Sequence, residues 1–303
     1  MNKKILVVAP SYSEISGGVV VLHKLCSILN DLGYESYLHP YVNNYEVCKY
    51  SVKAFFPSFM RRSVRQYLKG YQTNKSFNTP IYQGNIDDTW VVVYPEVVFG
   101  NPLNAKNVVR WLLHEPGYHE GSFYYGKGEL YFRFNGGVPS FQHYGSTTSD
   151  SELKVIHYPL EHYNLPEVEQ ERIGTAYCLR KGNGKELQHD TSDSILIDGL
   201  THQEVSSIFK KVKTFISYDT YTAYSIFAVL CGCESVVIPD EGVLVGDWYA
   251  CESDRYGIAY GLDDINRAKQ SAGLVLDHVR CEEARSVNAV RCFVREVGLY
   301  FKF

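Results

Sequence analysis

The sequence predicts an α/β fold built from two halves, each rich in alternating strands and helices. Short apolar runs typical of buried parallel strands recur at residues 5–9, 89–93, 108–113, 174–179, 214–218 and 235–238. Segments with apolar residues at helical spacing lie between several of them. The 303 residues suffice for two domains of about 150 residues each. We expect a first domain over 1–160 and a second over 161–303, joined by a Pro- and Glu-containing stretch at 159–172.

Composition and charge narrow the class of protein. Hydrophobic residues make up 45% of the chain and charged residues 21%, as in an ordinary soluble protein. The net charge of −4 gives no reason to expect a nucleic-acid partner. The eight cysteines lack paired metal spacing, which favours reduced thiols. The amino terminus leads directly into a strand without a signal-peptide pattern, and no apolar run reaches about 18 residues, so we expect a cytoplasmic protein.

The first half opens as a strand, a glycine turn and a helix. Gly17-Gly18 follows the first apolar run and precedes apolar residues at helical spacing over 19–29. Glycine at a helix start lets a substrate approach the backbone closely. The G-x-G-x-x-G pattern of dinucleotide-binding proteins is absent here.

A basic and aromatic segment interrupts this pattern. Residues 51–76 carry six Lys or Arg and no acidic residue. A basic amphipathic helix can lie on an anionic membrane or receive an anionic acceptor. The alternative is a solvated helix packed on the domain through its aromatic side.

Polar residues follow two predicted strands of the first half. Glu96 comes after the strand at 89–93, and His114 and Glu115 come after the strand at 108–113. The carboxyl ends of parallel strands are where α/β folds bind ligands. These residues are therefore candidates for acceptor-side or catalytic roles, although a single histidine is often structural.

In the second half, a predicted strand runs into a turn rich in glycine and cations. Arg180, Lys181 and Lys185 surround two glycines within six positions. Glycine permits close approach, arginine offers a forked donor and lysine a point charge, a combination suited to a pyrophosphate. A solvated basic turn is the alternative.

The stretch at 213–242 predicts a strand, a turn, a helix and a second strand. Asp219 begins a polar turn that contains Thr222, Tyr224 and Ser225, and an apolar helix follows over 226–230. Gly232 suits the helix carboxyl terminus. A helix that starts past the carboxyl end of a parallel strand directs backbone N–H groups toward a bound phosphate.

Residues 17–18, 94–117, 174–185 and 213–242 resemble the family 4-like glycosyltransferases of the GT-B fold (glycosyltransferase group 1). The resemblance implies two Rossmann-like domains that face each other across a cleft, with the donor bound by the second. It implies that Arg180, with Lys181 or Lys185, holds the diphosphate of a UDP- or GDP-sugar. The family often carries two glutamates eight positions apart. Asp219 occupies the first position, and Phe227 occupies the second, where a carboxylate usually contacts the ribose.

The resemblance implies a hexosyltransferase that uses a nucleotide-sugar as substrate, needs no cofactor and acts on a glycan or polysaccharide acceptor. No Asp-x-Asp stands at a strand end, so we expect no metal. Retention is implied, whereas His114 or Glu115 acting as a general base would give inversion. Two alternatives stay open, a GT-B-fold sugar-nucleotide epimerase and a non-catalytic sugar-nucleotide or glycan-binding protein. Because the chain is short for this architecture, an added partner or a homodimer is a further expectation.

Overall fold

A computed structural model describes residues 4–41, 70–119, 121–166 and 171–302. The chain divides into two compact units. The first unit contains the residues through His157 together with Glu283–Phe303, and the second unit is Tyr158–Glu282. Residues 51–69 of the basic segment lie outside the described residues.

The first unit is built on a parallel sheet of six strands. The strands are β1 (Lys4–Ala9), β2 (Ser36–Pro40), β3 (Trp90–Pro95), β4 (Asn107–Leu112), β5 (Leu130–Arg133) and β6 (Thr147–Glu152). Their order across the sheet is β2-β1-β3-β4-β5-β6, and every pairing is parallel. The central strands are buried on both faces, which explains their continuous apolar runs.

Two helices cover one face of this sheet. Helix α1 (Gly17–Asp31) contributes Leu22, Leu25 and Leu29 to a core shared with the sheet. The carboxyl-terminal helix, Val275–Phe301, contributes Val290, Phe293 and Val297 to the same core.

The second unit is built on a parallel sheet of five strands. They are β7 (Thr175–Cys178), β8 (Ser194–Leu196), β9 (Thr214–Ser217), β10 (Glu234–Val237) and β11 (Ile258–Tyr260). The order is β11-β10-β9-β7-β8, again entirely parallel. The expected α/β class is confirmed, with one parallel sheet and its helices in each unit.

Helices follow four of the five strands of the second unit. They are α2 (His202–Phe209), α3 (Tyr224–Leu230), α4 (Val245–Trp248) and α5 (Ile265–Ser271), and the carboxyl-terminal helix is α6. A capping box starts α2, where the Thr201 hydroxyl accepts from the N–H of Glu204 and the Glu204 carboxylate accepts from the N–H of Thr201. Among the helices of the described residues, none is both long and apolar enough to span a membrane.

Gly232 ends α3 as predicted. Its φ is +90°, a left-handed conformation that glycine adopts readily. Its N–H donates to the carbonyl of Val229 at 2.8 Å, and the N–H of Cys233 donates to that of Ala228 at 2.9 Å. These two bonds form a Schellman motif, which turns the chain directly into β10.

The last strand of the first sheet differs from the sequence-based expectation. The apolar residues at 155–158 predict a strand, but the last strand of the sheet is β6, Thr147–Glu152. β6 lies at the edge of the sheet and is mostly polar and solvent-facing, so it lacks an apolar signal. Val155 is nevertheless buried in the core of the first unit without being part of a strand.

The carboxyl-terminal residues group differently from the predicted 161–303 domain. Helix α6 begins in the second unit, and its residues from Glu283 onward belong to the first. The reason is packing, because Val290 and Phe293 are buried in the first unit's core.

Candidate functional site

The strand order of the second unit creates a switch point between β7 and β9. The chain leaves β7 toward β8 on one side, whereas β9, β10 and β11 continue on the other. Open parallel sheets bind ligands outside the carboxyl ends of strands at such a point. Arg180 follows β7 and Asp219 follows β9, and the Arg180 Nε lies 3.9 Å from the Asp219 Oδ2. The fold thus brings together two of the predicted site residues.

Arg180 is held in an unusual backbone conformation. Its φ is +42°, a left-handed value that is rare outside glycine. The Asp198 Oδ2 accepts hydrogen bonds from the N–H groups of Leu179 at 3.1 Å and of Arg180 at 3.0 Å. The guanidinium carbon lies 5.0 Å from the centre of the Tyr224 ring, and 37% of the side chain is exposed. The result is an oriented cation with one side open to solvent.

Gly182 lets the turn after β7 approach the chain after β9. A Cβ atom at this position would lie 1.9 Å from the carbonyl oxygen of Tyr218, so only glycine fits. Within the turn, the N–H of Gly182 donates to Leu179, and the N–H of Lys185 donates back to Gly182. The space left by the missing side chain of Gly182 is therefore occupied by the protein's own backbone.

Lys185 ties the ends of β9 and β10 together. Its ammonium lies 2.7 Å from the Asp240 Oδ1 and donates to the Thr220 hydroxyl at 2.9 Å and to the carbonyl of Ile238 at 2.7 Å. The hydrogen bond from Lys185 lowers the pKa of the Asp240 carboxyl. Lys185 is 19% exposed, whereas Lys181 is exposed. Of the two lysines, Lys181 is the one that faces solvent.

The amino terminus of α3 carries the hydroxyl-rich turn. The N–H of Tyr224 donates to the Thr222 hydroxyl at 3.3 Å, and the N–H of Ser225 donates to the Thr222 carbonyl at 3.4 Å. Ser225 is buried, and its hydroxyl has no hydrogen-bond partner among the described residues. These N–H groups, expected to point at a phosphate, thus already have local partners.

Asp219 is buried at the head of the same turn. Its Oδ1 accepts from the N–H of Tyr221 at 3.2 Å, and its carbonyl accepts from the Ser217 hydroxyl at 2.6 Å. One carboxylate oxygen is thus engaged with the turn, and the other lies toward Arg180.

Phe227 lies in the interior of the second unit. Its ring stacks on Tyr163 with centroids 4.2 Å apart and planes 11° apart, and it also contacts His202 edge-on. The exposed fraction of Phe227 is 5%. The departure from the two-glutamate pattern therefore has a structural cause, because this face of α3 belongs to an aromatic core.

In the first unit, the order β2-β1-β3 places a second switch point between β1 and β3. Gly17 and Gly18 begin α1 after β1, and a Cβ at Gly18 would lie 3.5 Å from a methyl carbon of Leu113. Glu96 follows β3, is 5% exposed, and accepts from the N–H of Leu113 at 3.0 Å. Leu113, directly after β4, thus lies next to the start of α1 and to Glu96 after β3.

His114 and Glu115 follow β4 in the first unit. The His114 Nδ1 accepts from the N–H of Glu115 at 2.8 Å, which places the proton of a neutral ring on Nε2. The ring stacks on Tyr118 with centroids 3.8 Å apart, and Glu115 is exposed. A neutral His114 with this hydrogen bond presents a donor, and Glu115 presents a carboxylate.

Asp198 and Asp240 were not identified from the sequence as site residues. The run at 194–197 before Asp198 and the run at 235–238 before Asp240 both predict strands, and a position just after a strand is the signal that could have identified each residue. Within the part of the chain that the structure describes, no three His, Cys, Asp or Glu side chains are grouped as a metal site.

The comparisons with known proteins assign no family to this chain. No family model matches the chain, and no curated protein matches it. Among solved structures, the chain is similar to Spinosyn Forosaminyltransferase SpnP at 11% identity and a TM-score of 0.34, over 98% of this chain and 96% of that one. Chains that superpose at this level need not share an activity.

Proposed function

We propose that this protein is a glycosyltransferase that moves a sugar from a UDP- or GDP-sugar to a glycan or polysaccharide acceptor. The observation that carries the proposal is Arg180, an oriented cation at the switch point of the second unit's sheet. Open α/β sheets bind ligands at this location, and a guanidinium there suits a diphosphate.

The proposed donor chemistry needs positive charge at the diphosphate. The bond from the anomeric carbon to the diphosphate breaks, and the leaving group gains negative charge. Arg180 and the exposed Lys181 offset that charge, so a metal is not required. Lys185 contributes mainly by fixing the site, because its ammonium is already paired with Asp240. Asp219 orients Arg180 and offers a carboxylate oxygen to the donor sugar.

The acceptor side belongs to the first unit in this proposal. Gly17, Gly18 and Glu96 lie at its switch point, and His114 and Glu115 follow the next strand. The hydrogen bond at the His114 Nδ1 argues against this ring as a general base, because the remaining nitrogen of the neutral ring carries a proton. Glu115 is the remaining candidate for the general base that an inverting reaction would need. We propose retention of the anomeric configuration, to be tested by NMR of the product.

Calorimetric titration without metal tests the donor site. UDP, GDP and the matching nucleosides are titrated into wild type, Arg180→Ala and Arg280→Ala, whose arginine side chain is 65% exposed in α6. We expect Arg180→Ala to bind the diphosphate about 10- to 100-fold more weakly, as loss of a charge-assisted hydrogen bond implies, without weakening nucleoside binding. Arg280→Ala should match wild type.

The same preparation is then incubated with UDP- and GDP-sugars, with and without a panel of oligosaccharides. Release of nucleoside diphosphate that depends on the acceptor supports the transferase. Wild-type protein that bound neither nucleotide would overturn the proposal.

A non-catalytic sugar-nucleotide-binding protein is the second candidate. It is favoured by Phe227, which buries an aromatic ring where the transferases that the sequence resembles usually carry a carboxylate. Nucleotide binding without transfer or diphosphate release from any donor would support this candidate.

A further inference from the structure

Asp198 holds the backbone on which Arg180 stands. Its Oδ2 accepts from two successive N–H groups, those of Leu179 and Arg180, at 3.1 and 3.0 Å. Asp198 comes from the chain that follows β8, the strand paired with β7. The two bonds therefore fasten the turn after β7 to the neighbouring strand's loop.

The conformation that these bonds maintain is a strained one. A φ of +42° is disfavoured for arginine, and such conformations persist only where the surroundings impose them. On the other side of the turn, Gly182 packs against the carbonyl of Tyr218. Asp198 and this contact fix the turn from its two ends.

The backbone conformation decides where the Arg180 side chain points. In the left-handed form, the guanidinium lies over Tyr224 and 3.9 Å from Asp219. A return of φ to negative values would redirect the Cα–Cβ bond and move the guanidinium away from the switch point.

The charge of Asp198 is unfavourable for a diphosphate site. A carboxylate next to the turn repels a bound anion. Its presence there is therefore explained by the two N–H groups that it binds, and not by contact with the ligand.

We infer that Asp198 is a positioning residue of the proposed donor site and acts through Arg180, an inference that rests on the proposed function. The role requires an acceptor oxygen at this place and does not require a negative charge. Asparagine retains the acceptor, alanine removes it, and glutamate retains the charge but displaces the oxygen by one methylene.

These three substitutions have different expected effects on binding of UDP or GDP. Asp198→Ala and Asp198→Glu should weaken binding about tenfold, and Asp198→Asn should bind as tightly as wild type or more tightly. Nucleoside binding should be unchanged in all three. If Asp198 acted only by repelling the anion, Ala and Asn would both tighten binding.

A double-mutant cycle tests whether the effect passes through Arg180. In the Arg180→Ala background, Asp198→Ala should add no further loss, since the side chain that it positions is absent. Additive losses would contradict the inference. Backbone amide exchange in the nucleotide-free protein is the independent measurement, with the N–H groups of Leu179 and Arg180 protected in wild type and in Asp198→Asn but not in Asp198→Ala.

The outcomes separate this inference from the proposed function. If wild type binds a nucleotide and Asp198→Ala binds it equally well, only the positioning role falls. If wild type binds neither nucleotide, both fall. Should Asp198→Ala fail to fold, the comparison of Asp198→Glu with Asp198→Asn decides, and equal binding by these two overturns the positioning role.

Discussion

Gly182 lies where two backbone segments of the second unit come closest. The carbonyl oxygen of Tyr218 occupies the space that a Cβ would need, at 1.9 Å. A backbone atom cannot rotate away as a side chain can, so a larger residue must displace the whole turn. The predicted diphosphate-binding turn thus keeps this conformation because residue 182 carries a hydrogen atom where any other residue carries a Cβ.

Gly182→Ala is therefore expected to lower the free energy of unfolding by about 3 kcal/mol, at the upper end for overpacking. The matched control is Gly184→Ala in the same turn, where a Cβ meets no atom within 4 Å. The control should change stability by less than about 0.5 kcal/mol. Urea unfolding of both variants provides the measurement, and equal stabilities would show that the turn relaxes without cost.

At the scale of elements, His23 links α1 to the loop after β1. The residue is fully buried, and its Nε2 lies 2.9 Å from the carbonyl oxygen of Pro10. The Tyr71 hydroxyl lies 3.4 Å from the same nitrogen and donates to the carbonyl of Ala9. Burial lowers the pKa of His23 from its ordinary value of 6.5, because charging the ring inside the core is unfavourable.

The sign of the resulting pH dependence follows from linkage. The unfolded chain takes up a proton on His23 near pH 6.5, whereas the folded protein resists protonation until a lower pH. Stability from the neutral ring is thus present above pH 6.5 and is lost as the pH falls through the lowered folded pKa. Burial also lowers the pKa of His189, so the two residues act in the same direction.

We expect His23→Gln to reduce the fall in unfolding free energy between about pH 8 and about pH 5. The exposed His119 offers the matched control, His119→Gln, which should keep the wild-type slope. Urea unfolding at a series of pH values measures both. A His23→Gln slope identical to wild type would mean that the buried ring does not set this dependence.

At the scale of the whole molecule, the carboxyl-terminal helix completes the first unit. Phe293 is 1% exposed, and its ring packs edge-to-face on Phe132 with centroids 5.0 Å apart. The core that it joins also contains Leu25 of α1 and Trp111 of β4. A segment from the end of the chain is thus part of the core that the beginning of the chain forms.

Phe293→Ala should destabilise the protein by about 3–5 kcal/mol, because it leaves a cavity in this core. Leu299→Ala is the control on the same helix, since Leu299 is 74% exposed, and it should cost less than about 0.5 kcal/mol. Thermal and urea unfolding measure the difference. Equal effects would indicate that the helix does not stabilise the first unit through Phe293.

The sequence by itself determined the local elements of this protein. Apolar runs and helical spacing located β1, β3, β4, β9 and β10, and the glycine after α3 marked its end correctly. These features depend on neighbouring residues, so they can be read along the chain. The polar edge strand β6 gave no such signal and was missed.

Only the tertiary structure decided which side chains meet. Arg180 reaches Asp219 and Asp198 because β7 lies between β9 and β8, and Lys185 pairs with Asp240 because β10 lies next to β9. The same packing buries Phe227 and assigns the end of α6 to the first unit. Strand order and core packing arise from contacts between residues far apart in the chain, and the local periodicity of the sequence does not reveal such contacts.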